Sequence, residues 1–131
     1  MGKILIVDDA KINRMILVRI LQDRYELLEA EDGLEAVEIF CENEGQIDVV
    51  LLDNVMPVLS GFDFLSEAKQ RGWLERTRVI MISTDSTGVA ARRACKEGAF
   101  AFIGRPFDAR TVREKVEEAC QNTEDVKRDD T

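Results

Sequence analysis

The sequence predicts an α/β domain built on a doubly wound parallel sheet, and three observations carry that expectation. Short continuous apolar runs, Ile4-Leu5-Ile6-Val7 and Val49-Val50-Leu51-Leu52 above all, suit strands buried on both faces. Segments with helical apolar spacing separate such runs, so strand and helix alternate five times along the 131 residues. The intervening stretches are too long for hairpins, which leaves parallel strands joined by helical crossovers packed on both faces.

Each element has its own signal. The first strand ends in Asp8-Asp9, and a helix is expected from about Ala10, with Ile12, Ile16 and Ile20 at i, i+4, i+8 and Leu17 and Leu21 beside them. Tyr25 to Leu28 is the second strand, and Glu31-Asp32-Gly33 a turn. The second helix places Leu34, Val37 and Cys41 on one face and stops near Asn43-Glu44-Gly45. The third strand runs from Val49 into Asp53, and Asn54 to Gly61, with Pro57 and Ser60, is a loop. Phe62, Leu65 and Ala68 mark a third helix that ends near Gly72. Val79 to Ile82 is the fourth strand, followed by a hydroxyl-rich turn from Ser83 to Gly88. A small-residue helix with Ala90, Ala91, Ala94 and Cys95 is stopped by Gly98, and Ala99 to Ile103 is the fifth strand. Arg105-Pro106-Phe107 breaks the chain, and Asp108 N-caps a last helix with Val112, Val116 and Ala119 inward. One domain is expected over residues 1–120. Residues 121–131 are polar except Val126 and are expected as a disordered tail.

Composition narrows the function. A formal net charge of −8 disfavours nucleic acid or an anionic membrane as the main partner and leaves a protein or a cation, plain solubility being the simpler use of the charge. The three cysteines, Cys41, Cys95 and Cys120, are odd in number and far apart, so neither a metal pair nor a disulfide framework is indicated. Each is expected as a small core residue. With no histidine in the chain, Ser-His-Asp and Cys-His nucleophile systems and a His-based zinc site are excluded. There is no signal peptide and no apolar stretch of about 18 residues, so a cytoplasmic location is expected.

The chemistry gathers at strand ends. Ligand sites of open parallel sheets lie at the carboxyl edge, and the first and third strands of a doubly wound sheet are neighbours. Asp8, Asp9 and Asp53 therefore converge. Clustered carboxylates repel one another, and a hard divalent cation such as magnesium relieves that repulsion through oxygen ligands. Ser83 ends the fourth strand with a hydroxyl, and Arg105 follows the fifth with a planar positive fork suited to phosphoryl oxygens. Acids, metal, hydroxyl and cation describe phosphoryl transfer to a carboxylate nucleophile, Asp53. Taken singly, each residue has a plainer role. Asp8-Asp9 suits a helix N-cap, Asp53 a loop start, Ser83 and Thr84 a turn, and Arg105 a surface cation near a helix start. Their coincidence at successive strand ends favours the site.

The set resembles the receiver domain of two-component response regulators. The resemblance covers roughly Lys3 to Cys120. It rests on Ile4-Leu5-Ile6-Val7-Asp8-Asp9, Ala30-Glu31-Asp32-Gly33, Leu51-Leu52-Asp53 with Met56-Pro57 and Gly61, Met81-Ile82-Ser83, Gly98-Ala99 and Arg105-Pro106-Phe107. It implies the flavodoxin-like (βα)5 fold with strand order 2-1-3-4-5. It implies that Asp53 accepts a phosphoryl group from a histidine kinase or histidine phosphotransfer protein. Asp9 and Asp53 would bind Mg2+ directly, Asp8 through water and Val55 through its backbone carbonyl. Ser83 would bond the phosphoryl oxygen, and Phe102 would be the aromatic switch that follows it. The output face for a downstream protein target would be the fourth helix, fifth strand and fifth helix, in a monomer or weak homodimer. A cis Arg105–Pro106 bond is implied as well.

The chain departs from the family at Arg105, where lysine is strongly preferred, and at Thr84, where a small residue is usual. Arginine keeps the charge but is bulkier than an ammonium. A pseudo-receiver, an interaction module with impaired switching because of Arg105, is the alternative. An aspartyl phosphatase would carry a second acid two residues after the nucleophile, where this chain has Val55, and neither GxGxxG nor GxxxxGK[ST] occurs. No turnover enzyme is expected beyond the domain's own phosphoryl transfer and slow dephosphorylation.

Overall fold

The computed structural model describes residues 2–54, 59–85 and 87–129, with side chains as far as residue 124. Five strands, β1 (Lys3–Val7), β2 (Glu26–Ala30), β3 (Val49–Asp53), β4 (Arg78–Ser83) and β5 (Ala101–Gly104), form one parallel sheet in the order β2-β1-β3-β4-β5. The crossovers are α1 (Lys11–Leu21), α2 (Gly33–Glu42), α3 (Gly61–Gln70) and α4 (Val89–Lys96), and α5 (Ala109–Asp129) closes the chain. The doubly wound parallel sheet is the one expected from the sequence, and its strand order is the one the resemblance implied.

Strand residues alternate between two apolar layers because successive side chains leave a strand on opposite faces. Leu5, Val7, Val50, Leu52, Val79 and Met81 pack with Ala36 and Phe40 of α2, Phe64 and Leu65 of α3 and Ala90 and Ala94 of α4. Ile4, Ile6, Val49, Leu51, Ile80 and Ile82 pack with Leu17 and Leu21 of α1 and Val112, Val116 and Ala119 of α5. Trp73, in a single 3-10 turn before β4, stacks on Phe40 with ring centroids 4.1 Å apart. The helices start where the chain provides caps. Asp32 accepts from Glu35 N–H, Ser60 and Asp63 bond reciprocally, and Asp108 accepts from Thr111 N–H at 2.7 Å.

Several expectations need correction. In α1 the buried face is Arg14, Leu17 and Leu21, at i, i+3, i+7, while Ile12 and Ile16 are 68% and 46% exposed. Apolar residues surround this helix on most sides, so two registers fit the periodicity. Arg14 decides between them by bonding into the sheet edge. In α2 the buried face is Ala36 and Phe40, and Leu34 is exposed. Cys41, one position round from Phe40, is exposed, as is Cys95, and Cys120 is only half-buried. Only Cys120 touches the core, packed at the edge of the layer of α1 and α5. The second strand starts at Glu26, one residue late, because Tyr25 still bonds back to Leu21 O. The last helix does not stop near residue 120 but runs on to Asp129. Buried Thr123 satisfies its hydroxyl within the helix, on Ala119 O and Cys120 O, and Asn122 Oδ1 accepts from Arg78 Nε at the start of β4.

Candidate functional site

The sheet register sets the site. Val7 pairs with Leu52, so the next residues, Asp8 and Asp53, leave neighbouring strands side by side. Asp53 pairs with Ile82, and Ser83 follows. Ser83 pairs with Gly104, and the next residue, Arg105, donates its N–H to Ser83 O at 2.8 Å. One carboxylate oxygen from each of Asp8, Asp9 and Asp53 lies within 4.8 Å of the other two. Asp8 and Asp53 are buried, and Asp9 is exposed. The structure thus brings together all three acids, the hydroxyl and the cation expected from the sequence. The carbonyl of Val55 falls outside the described residues.

Asp8 is held from three sides. Its Oδ1 accepts from Ala10 N–H at 2.9 Å, its Oδ2 from Arg105 Nη2 at 2.6 Å, and its backbone carbonyl from Arg14 Nη1 at 2.7 Å. Arg105 Nη1 also faces Asp53 Oδ1 at 3.8 Å. Arg14, with a side chain only 8% exposed, continues to Glu29 at 3.2 Å and Glu31 at 3.8 Å, tying the end of β1 to the end of β2. A buried guanidinium needs such partners to offset its lost hydration. Sequence reasoning missed Arg14. The available signal was a cation sharing the i, i+3, i+7 face of Leu17 and Leu21.

Ser83 is buried, and its Oγ accepts from Asp85 N–H at 3.1 Å, which leaves the hydroxyl proton free to donate elsewhere. Asp85, half-buried, supports the start of α4. It accepts from Thr87 N–H, Thr87 Oγ1 and Ala90 N–H. Those bonds, the Thr87 hydroxyl foremost, hold its carboxyl below the ordinary carboxylate value. Ser83 is therefore one hydrogen bond from the residue whose carboxylate holds the first turn of α4 through Ala90 N–H. Thr84 is exposed beside the site. Phe102, opposite Met81 in the sheet, is half-buried against the layer of α2, α3 and α4.

Gly61 allows the close fit under Asp53. A Cβ there would meet the Asp53 carbonyl oxygen and stand 2.7 Å from Asn54 Cα. Only glycine lets α3 start this close to the strand end. On the open side, Asn13, Ile16, Thr84, Arg105, Pro106 and Phe107 line a groove of about 440 Å³. Exposed Ile12 and Ile16 share one side of α1 and extend this apolar surface, and the Arg105–Pro106 bond is cis.

The donor set fits a hard divalent cation. All three groups are carboxylates, and magnesium takes oxygen ligands in a shell whose members lie about 3–4 Å apart, a spacing the cluster meets with small side-chain adjustment or a bridging water.

Comparison with known proteins agrees with this geometry. A sequence model of the response regulator receiver domain matches residues 4–117. Chemotaxis protein CheY of Listeria monocytogenes is 37% identical over 123 residues, covering 92% of this chain and 100% of its own. A response regulator receiver domain protein from Clostridium thermocellum superposes with a TM-score of 0.87 at 33% identity, over 95% of this chain and 98% of the other. The CheX–CheY complex with BeF3 and Mg2+ from Borrelia burgdorferi has a chain that matches with a TM-score of 0.83 at 31% identity, covering 89% of this chain and 87% of that one.

Proposed function

The chain belongs to the response regulator receiver family, and from that premise we propose that Asp53 is the phospho-acceptor of a two-component phosphorelay. The donor is a histidine kinase or histidine phosphotransfer protein. A carboxylate oxygen of Asp53 forms a bond to phosphorus as the donor's phosphorus–nitrogen bond breaks. The observation that carries this reading is the convergence of Asp8, Asp9, Asp53, Ser83 and Arg105 at one sheet edge. Asp8, Asp9 and Asp53 would hold Mg2+, which supplies charge neutralisation to the transferring group. Ser83 donates its hydroxyl proton to a phosphoryl oxygen, and the Arg105 fork faces the other oxygens. The groove beside Arg105, with the exposed apolar residues of α1, offers the donor protein a surface within reach of Asp53.

Phosphorylation is read out through Ser83. A change at its hydroxyl bears on Asp85 and α4 on one side, and the adjoining β4–β5 pair carries Phe102. The proposed output face is α4, β5 and α5, for a downstream protein in the cytoplasm, with the chain a monomer or weak homodimer. No helix among the described residues is long and apolar enough to cross a membrane. The chain acts as a signalling module that catalyses only its own phosphoryl transfer and slow dephosphorylation.

A second reading, a pseudo-receiver that binds a partner without switching, is favoured by the Arg105 bond to Asp8. Incubation with a small phosphodonor and Mg2+, followed by intact-mass measurement, separates the two. One phosphoryl adduct on the wild type and none on Asp53→Asn is expected. No adduct on the wild type, or an equal adduct on the variant, would defeat the phospho-acceptor reading.

A further inference from the structure

We infer that Arg105 is a tethered counter-ion that competes with the divalent cation for the acidic cluster, and so sets how tightly this chain holds the ion. The inference rests on the reading of Asp8, Asp9 and Asp53 as a cation site. It concerns what the chain's own guanidinium does there.

The contacts are specific. Both oxygens of Asp8 already accept a hydrogen bond, Oδ1 from Ala10 N–H at 2.9 Å and Oδ2 from Arg105 Nη2 at 2.6 Å. The fork's other nitrogen faces Asp53 Oδ1 at 3.8 Å. One guanidinium therefore spans two of the three acids through two different nitrogens of its planar fork. Its side chain is only 19% exposed, and those of Asp8 and Asp53 are 2% and 8% exposed, so water screens the arrangement weakly.

A cation entering this cluster meets two penalties. It brings two positive charges close to a third, and it or its water must share the Asp8 oxygens with the donors already on them. The bond from Arg105 to Asp8 and the binding of the ion thus oppose each other, and each weakens the other by the same factor. Relief requires only the side chain to move, since the Arg105 backbone is fixed by its N–H on Ser83 O at 2.8 Å. The adjoining groove, lined by Asn13, Ile16, Thr84 and Phe107, gives the guanidinium somewhere to go. The ion's arrival then turns the fork away from Asp8 and leaves its donors available for phosphoryl oxygens.

The test is calorimetric titration of Mg2+ into the wild type, Arg105→Gln and Arg105→Lys at low ionic strength, with thermal unfolding of each at zero and saturating Mg2+. Arg105→Gln is expected to bind Mg2+ about tenfold more tightly than the wild type, equivalent to about 1.4 kcal/mol. Arg105→Lys is expected to fall between them. Without Mg2+, Arg105→Gln is expected to melt below the wild type, because Asp8 and Asp53 lose their counter-charge. Its gain in melting temperature on adding Mg2+ is expected to be the larger. Equal or weaker Mg2+ binding by Arg105→Gln overturns the inference while leaving the cation site in place, since a guanidinium that helps hold the ion gives that result. Absence of binding by the wild type and both variants overturns the cation site, and the inference with it.

Discussion

The two ends of the sheet are held by opposite means. At the amino end Trp73 stacks on Phe40, leans on Phe64 with ring centroids 6.2 Å apart and carries the Arg71 guanidinium over its ring at 5.2 Å. Thr77 closes the same end by donating to Ile47 O at 2.7 Å. At the carboxyl end, three acids crowd together, two of them buried, with Arg105 against Asp8 and Asp53 and Arg14 beneath. Packed aromatic surface stabilises without regard to ionisation. Clustered like charges oppose folding and persist only because partners restrain them. Stability is concentrated at one end of the strands and chemistry at the other.

Substitutions can break or sharpen that contrast. The largest effect is expected from Trp73→Ala, which empties the stack on Phe40 and should lower unfolding free energy by about 3–5 kcal/mol in urea denaturation followed by circular dichroism. Mg2+ affinity by calorimetry should not change, and a change would mean that the two ends are coupled. Arg14→Leu removes the donor to Asp8 O and the partner of Glu29, and a loss of about 2 kcal/mol is expected. Unlike Trp73→Ala it should also weaken Mg2+ binding, since the turn carrying Asp8 and Asp9 loses its anchor. Lost stability with unaltered affinity would make Arg14 structural only.

The smallest effect belongs to Asp108, whose carboxyl is held below its ordinary value by the Thr111 N–H and hydroxyl. A depressed folded-state pKa stabilises the fold above the unfolded-state value, and that contribution is lost as pH falls through the lowered one. The melting-temperature gap between wild type and Asp108→Ala should therefore be constant above about pH 5 and shrink in acid. A gap independent of pH would show that ionisation of this cap contributes nothing.

The carboxyl end was the more legible in the sequence. Asp8, Asp53, Ser83 and Arg105 each follow an unbroken apolar run, so the strand signal itself delivers them to one edge. The helix faces were harder. Ile12, Ile16 and Leu34 fit helical periodicity as well as the residues actually buried, and only three-dimensional contacts select between the registers. Arg14 escaped notice because a cation in a helix reads as surface, whereas here the unsatisfied carbonyl at a strand end draws it inward. The helical continuation past Cys120 was hidden by a polar composition. Asn122 ties it to Arg78 through one hydrogen bond, and buried Thr123 turns its hydroxyl back onto its own helix, and neither leaves a hydropathy signal.

The stacking of Trp73 has a practical corollary. It is the chain's only tryptophan, 6% exposed and at the far end of the strands from Asp53. Its intrinsic fluorescence should therefore follow global unfolding faithfully and stay nearly silent when the acids bind an ion or Asp53 accepts a phosphoryl group. An optical assay of the site calls for a second indole, and Phe107, an aromatic already lining the groove beside Arg105, is the natural position for it.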